Sequence, residues 1–377
     1  MQKHPGYILV ADSTRNYGTE NISRSLSNLL GSSDVFTDFS IVGVYNTTFQ
    51  WVNNPPSPLS LFFNVASCLL CLFNICILIQ LKSLISRKPF KKPIIISAFH
   101  QASVIASILR PLGLFRLIVW EHLPLLMKTR PSRVMALTFR FSDRLVVLTK
   151  RDRETYPGFM KPQIAVIPNF IRINASCAPV KPSSSSVSNT NAEIIIFAAR
   201  LCLQKGTDYW PDIIERVVSC NPQAAFQIIG DGPMMKSFKE ELAKRGLRKY
   251  VTIFGELPHG DCVDLLSRGS LFALPSRYEA YPMVMLESIL LNVPFVASDC
   301  HTGPREILSE SKYIGKIVKL SSSFIPDFSD AILHMLQVAK SKEYTLESQR
   351  EFDELVYKHS PELAKTSWNT LLEGVIL

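Results

Sequence analysis

Short runs of consecutive apolar residues alternate with stretches whose apolar positions recur every three or four residues, and this alternation occurs twice along the chain. In the first half the runs are GYILVAD, FSIVGVY, PIIISAF, LIVWEH, RLVVLT and IAVIPNF, and residues 18–30 have helical spacing. In the second half EIIIFAAR, AFQIIGDGP, VTIFGEL, LFALPS and PFVASD are separated by the helical patterns of DIIERVVS, FKEELAKRG and MVMLESIL. A strand that is apolar at successive positions is buried on both faces, so each half predicts a parallel sheet covered by helices on either side. The expected fold class is α/β: two Rossmann-like, doubly wound parallel-sheet domains facing one another across a cleft.

Periodicity is lost at APVKPSSSSVSNTN, a Pro, Ser and Asn stretch that reads as a surface connection. The expected organisation is a first domain over 1–175, a linker over 176–192 and a second domain over 193–360. Residues 361–377 repeat as a helix with Leu363, Trp368, Leu371 and Leu372 on one side. This helix is expected to pack back on the first domain.

Residues 58–81 carry no charge and are long enough to cross a bilayer. Yet Ser60, Asn64, Ser67, Cys71 and Asn74 fall on one helical stripe, and Lys82, Arg87, Lys88, Lys91 and Lys92 follow. A span would separate strands that should share one sheet, so the segment reads as a buried or interfacial helix rather than a crossing.

Charge changes the picture for the first half. The chain carries +9 overall, and residues 1–170 hold 19 lysines and arginines against 8 acidic residues. No zinc-finger spacing, basic helix or RNP-like aromatic run accompanies that excess, so nucleic acid is not the expected partner. An anionic membrane surface or a phosphate-bearing substrate fits better. The eight cysteines lack paired spacing beyond Cys68 and Cys71, which sit in an apolar run, so no metal is assigned and reduced thiols are expected. The N-terminal apolar run is too short for a signal peptide, and the expected location is cytoplasmic, peripheral on the inner face of the cell membrane.

The chemistry-bearing motifs cluster in the second half. Gly230 and Gly232 in GDGP follow a strand, where tight turns and backbone N–H groups can meet a phosphate, although such glycines often serve a turn alone. Arg200 and Lys205 flank another strand end, where two cations would neutralise a diphosphate or remain solvated surface charges. Glu279 and Glu287, eight apart, fall before a helix and on one side of it.

In order the chain reads FAARLCLQKG, IIGDGP, TIFGEL, LPSRYEAYPMVMLES and VPFVASDCHTGPREI. Over residues 193–307 this resembles the family-four retaining glycosyltransferases (glycosyl transferases group one) of the GT-B fold. The first half matches in outline through YGTE, VWEH and VIPNF. The resemblance implies that Arg200 and Lys205 hold the donor diphosphate, that Glu279 lies near the transferred sugar and that Glu287 accepts from the ribose hydroxyls. It implies that the segment Ala280, Tyr281, Pro282 and Met283 presents backbone N–H groups, from all but Pro282, to sugar and phosphate. Gly18 would let its loop approach the phosphates, and His122 would contact the sugar or reacting centre, with His100 a competitor for that place. This chain has Ala199 and Asn292 where the family usually has Gly.

The implied reaction moves a sugar from a nucleoside-diphosphate sugar, UDP-sugar favoured over GDP-sugar, to an acceptor hydroxyl with retention and without a metal or other cofactor. A saccharide or lipid-linked acceptor of bacterial surface polysaccharide or glycolipid synthesis is implied. Two other readings compete: a non-catalytic nucleotide-sugar-binding scaffold in a polysaccharide assembly complex, and a nicotinamide-dependent oxidoreductase. The second lacks the expected G-x-G-x-x-G after a strand.

Overall fold

A computed structural model describes residues 7–10, 22–23, 25–26, 29–30, 94–98, 100–171, 193–309, 311, 313–341 and 344–376. Gly18, the run FSIVGVY, the apolar segment 58–81 and the linker 176–192 lie outside the described residues. The chain divides into two compact units, one of Met1–Asn169 with Ala364–Leu377 and one of Phe170–Leu363.

In the first unit β1 (Tyr7–Val10), β2 (Ile94–Ser97), β3 (Arg116–Trp120), β4 (Arg144–Val147) and β5 (Ile164–Val166) form a sheet in that order. Every described pairing in it is parallel. Residues 94–97, 117–120 and 145–147 are buried throughout, as expected for strands covered on both faces. Ile95, Leu117, Val119, Leu145 and Val147 pack with Phe139 and Met160 into one core.

The helix Pro361–Ile376 belongs from Ala364 onward to this first unit. Its buried face is Ala364, Trp368, Leu371, Leu372 and Val375, an i, i+4, i+7, i+8, i+11 stripe. Trp368 meets Trp120 edge to face at 5.1 Å. Leu363, expected on that face, is instead exposed, because the stripe starts one residue later at Ala364.

The second unit holds β6 (Glu193–Ala198), β7 (Ala224–Ile229), β8 (Val251–Gly255), β9 (Leu271–Leu274), β10 (Phe295–Asp299) and β11 (Gly315–Lys319). They lie side by side as β11-β10-β9-β6-β7-β8, all parallel. Counted from β6, the chain runs outward through β7 and β8, returns to the middle at β9, and runs outward again. This is the doubly wound order, and it places a topological switch point between β6 and β9, where ligands bind such sheets beyond the carboxyl ends.

Burial follows sheet position. β9 is buried at every residue, whereas edge strand β8 alternates between intermediate and exposed. The helix Trp210–Cys220 after β6 opens with Pro211 in its first turn and buries Trp210, Ile213, Ile214, Val217 and Val218. Sequence periodicity had not singled out β11 or the helix Phe324–Lys340, which packs on it.

Candidate functional site

The two connections that leave the switch point are joined backbone to backbone. After β6 the chain makes a tight turn over Leu203–Lys205, ended by Gly206 at φ 69°. A Cβ on Gly206 would lie 2.1 Å from the Pro275 carbonyl oxygen, so no other residue fits between the β6 and β9 loops. The Arg277 N–H donates to the Gln204 carbonyl at 2.8 Å. The Arg277 guanidinium donates to both Asp208 carboxylate oxygens at 2.6 Å and lies 4.1 Å over the Tyr209 ring.

That joint sets Lys205 against Glu279. The Lys205 ammonium donates to the two carboxylate oxygens at 2.7 and 2.8 Å, across 74 residues of chain. Ser276 Oγ donates to the same carboxylate at 2.6 Å. From the β10 side, Thr302 Oγ1 donates to the Glu279 carbonyl at 2.5 Å, and Ser298 Oγ donates to the Ser276 carbonyl. Glu279 is buried and fixed by three loops, while the Lys205 side chain keeps 22 % of its surface in solvent. Arg200 is exposed just after β6.

Beyond Glu279, residues 280–282 lead into the helix Met283–Leu290, which begins without a side-chain cap or an acidic first turn. Tyr281 and Pro282 are buried and Ala280 and Met283 partly so. Gly303, at φ 89°, approaches so closely that a Cβ would lie 2.8 Å from the Ala280 carbonyl oxygen. Glu287 meets His259 Nε2 at 2.9 Å. His259 opens the helix after β8 and is a partner that sequence reading missed; its one signal was position, soon after a strand end.

Gly230 and Gly232 have a packing reason of their own. A Cβ on Gly230 would stand 2.1 Å from the Ala199 carbonyl oxygen, and one on Gly232 would stand 2.3 Å from that of Leu201. Their N–H groups are engaged within the chain, Gly230 with the Gly255 carbonyl at 2.7 Å and Gly232 with the Asp231 carboxylate at 2.6 Å. The glycines therefore let the β7 turn lie on the β6 turn. Asn292 takes φ 56°, the left-handed conformation that suits Gly at this position.

In the first unit, His122 follows β3 and lies 4.3 Å from the Trp120 ring. Its Nε2 is buried without a hydrogen-bond partner among the described residues, and burial pushes the imidazole down to about 4. His100, at the start of the helix after neighbouring strand β2, has its Nδ1 3.4 Å from Glu121 and 3.2 Å from the Lys128 ammonium. Lys128 and Glu121 form a second ion pair, which the sequence reading did not single out. Burial alone would raise the Glu121 carboxyl, but Lys128 and His100 beside it hold it at about 2.

Comparison with known proteins adds a likeness over part of the chain. Residues 182–351 match the family described as glycosyl transferases group 1. An exopolysaccharide phosphotransferase of Streptomyces coelicolor is 32 % identical over 50 % of this chain, a stretch that makes up 19 % of that protein. The chain spans less than two thirds of the length of the curated relatives it matches. Among solved structures, Anabaena HepE in complex with UDP and glucose superposes with a TM-score of 0.70 at 15 % identity, covering 98 % of this chain and 100 % of that one. The lipopolysaccharide outer core galactosyltransferase WaaB in its apo form gives 0.68 at 17 % identity, covering 97 % and 98 %. Both share this fold of two parallel-sheet α/β domains.

Proposed function

With residues 182–351 a glycosyl transferases group 1 region set in a GT-B-type fold, we propose that the chain transfers a sugar from a nucleoside-diphosphate sugar to an acceptor hydroxyl. The observation that carries this reading is the Lys205–Glu279 pair at the switch point. A diphosphate competes with Glu279 for the half-open Lys205 cation, and Arg200 adds a second charge from the same strand end. Glu279, still held by Ser276, then faces the sugar with a carboxylate that can accept its hydroxyls. Residues 280–283 line the donor, and Glu287 takes the ribose diol in place of His259. Transfer proceeds with retention by front-face attack, the leaving phosphate accepting the acceptor proton. Lys205 and Arg200 supply the charge a divalent ion would otherwise provide, so no metal is required.

UDP-sugar is the favoured donor; the superposing HepE structure contains UDP and glucose. The acceptor is a saccharide or lipid-linked saccharide of bacterial surface polysaccharide or glycolipid synthesis, which the name of WaaB supports. The first unit then works at the inner face of an anionic membrane. Arg130, Arg133 and Arg140 lie among exposed Val134, Met135, Leu137 and Phe141, a mixture suited to that surface. Among the described residues no helix is long and apolar enough to cross a membrane.

The test is thermal stabilisation of the purified chain by UDP, GDP, ADP and NAD, since a ligand that binds the folded state raises its apparent stability. Stabilisation by one nucleoside diphosphate, lost in Glu287→Ala, supports the reading. Stabilisation by NAD alone, or by none of the four in folded protein, overturns it.

A further inference from the structure

Tyr281 stands in the loop between Glu279 and the helix Met283–Leu290, and its hydroxyl is 2.7 Å from His359 Nε2. His359 is buried at the end of the helix Tyr344–Lys358, 78 residues further along. Its Nδ1 lies 2.8 Å from the Leu355 carbonyl oxygen, which can only accept. Nδ1 therefore carries the proton and Nε2 accepts from the Tyr281 hydroxyl. Burial, opposed by the Leu355 carbonyl, keeps the imidazole pushed down to about 4, so this neutral tautomer persists at neutral pH.

The main chain of His359 has a second connection. Its carbonyl accepts the Ile171 N–H at 2.8 Å. The chain passes from the first unit to the second between Asn169 and Phe170 and returns between Leu363 and Ala364. One residue thus bonds to the start of the second unit through its backbone, stands just before the return, and holds the loop beside Glu279 through its side chain.

We propose that His359 is a positioning residue that ties the loop 280–283 to the two places where the chain crosses between units, making nucleotide binding and the ordering of those crossings one event. The proposal rests on the reading of 280–283 as donor-lining. Its specific content is the Tyr281–His359 bond, because it is the side-chain link between loop and junction.

Substitutions can separate the two bonds of the ring. His359→Asn replaces Nδ1 and keeps the Leu355 bond while losing Tyr281; His359→Gln reaches as far as Nε2 and can accept from Tyr281; Tyr281→Phe removes only the hydroxyl. The experiment is hydrogen exchange of the full chain with and without UDP, alongside calorimetric UDP affinity. UDP is expected to slow exchange at 280–285 and at Ile171 in the unsubstituted chain and in His359→Gln. In Tyr281→Phe and His359→Asn, protection at Ile171 is lost and the UDP dissociation constant rises about three- to tenfold. The double variant Tyr281→Phe/His359→Asn is no worse than either single. Unchanged affinity or unchanged Ile171 protection in Tyr281→Phe overturns the proposal while leaving the proposed function intact. Failure of the unsubstituted chain to bind UDP, GDP or ADP overturns that function and this inference together.

Discussion

Glu121 follows β3 in the first unit and Glu279 follows β9 in the second, and each meets a lysine. Lys128 lies seven residues from its partner and both side chains are 2 % exposed. Lys205 comes from a different loop, 74 residues away, and is 22 % exposed against 5 % for Glu279. A pair sealed on all sides is costly to break and has no route to exchange partners. A pair whose cation stays in contact with water can yield that cation to an incoming anion. The same two residue types at equivalent sheet edges thus make a structural element in one unit and a candidate ligand site in the other.

The largest effect should come from breaking the sealed pair. Lys128→Met strands a buried carboxylate and should cost about 3–5 kcal/mol of stability, read by denaturant unfolding. Adding Glu121→Leu should restore most of the loss, since apolar packing replaces a buried ion pair well. The half-open pair should respond in the opposite currency. Lys205→Met should leave a well-folded chain whose sugar transfer falls about 10²- to 10³-fold, and adding Glu279→Leu should recover no activity. If the Lys205 variant unfolds like the Lys128 variant, the two pairs are alike and the distinction fails.

Acidification provides a broader test. His122 and His359 lie at about 4 when folded, against an ordinary 6.5, so the unfolded chain binds more protons between those values. Their contribution to stability is complete above pH 6.5 and is lost as pH falls toward 4. Asp152, raised by burial from 3.8 to about 6, acts in the reverse sense over an overlapping range. Two groups against one predict a thermal midpoint that falls from pH 7 to pH 4.5. In His359→Asn that fall should be shallower.

Strand positions were legible because a parallel sheet writes its doubly buried strands as unbroken apolar runs, as in IIIFA of β6 and LFAL of β9. β11 was less legible because in GKIVK exposed lysines flank only two apolar residues at a sheet edge. The motif order marked Lys205 and Glu279 separately, but their pairing depends on Gly206 lying against Pro275, a long-range backbone contact no local pattern records. His259 and His359 were missed for the same reason: each finds its partner, Glu287 or Tyr281, only after the sheet has assembled. Asn292 was legible as a residue standing where the family usually has Gly, and its φ of 56° gives the reason. This makes the smallest prediction: Asn292→Gly should change stability by only a few tenths of a kcal/mol, and Asn292→Val should cost about 1–2 kcal/mol, measured by denaturant unfolding.

The proposed donor site requires the Lys205 cation to exchange from Glu279 to a diphosphate. Titration calorimetry of UDP into the unsubstituted chain, Lys205→Met and the Lys128→Met/Glu121→Leu pair tests it most directly. Binding by the first and third, and a loss of at least tenfold in affinity for Lys205→Met, are expected. Equal UDP affinity in Lys205→Met and the unsubstituted chain would contradict it.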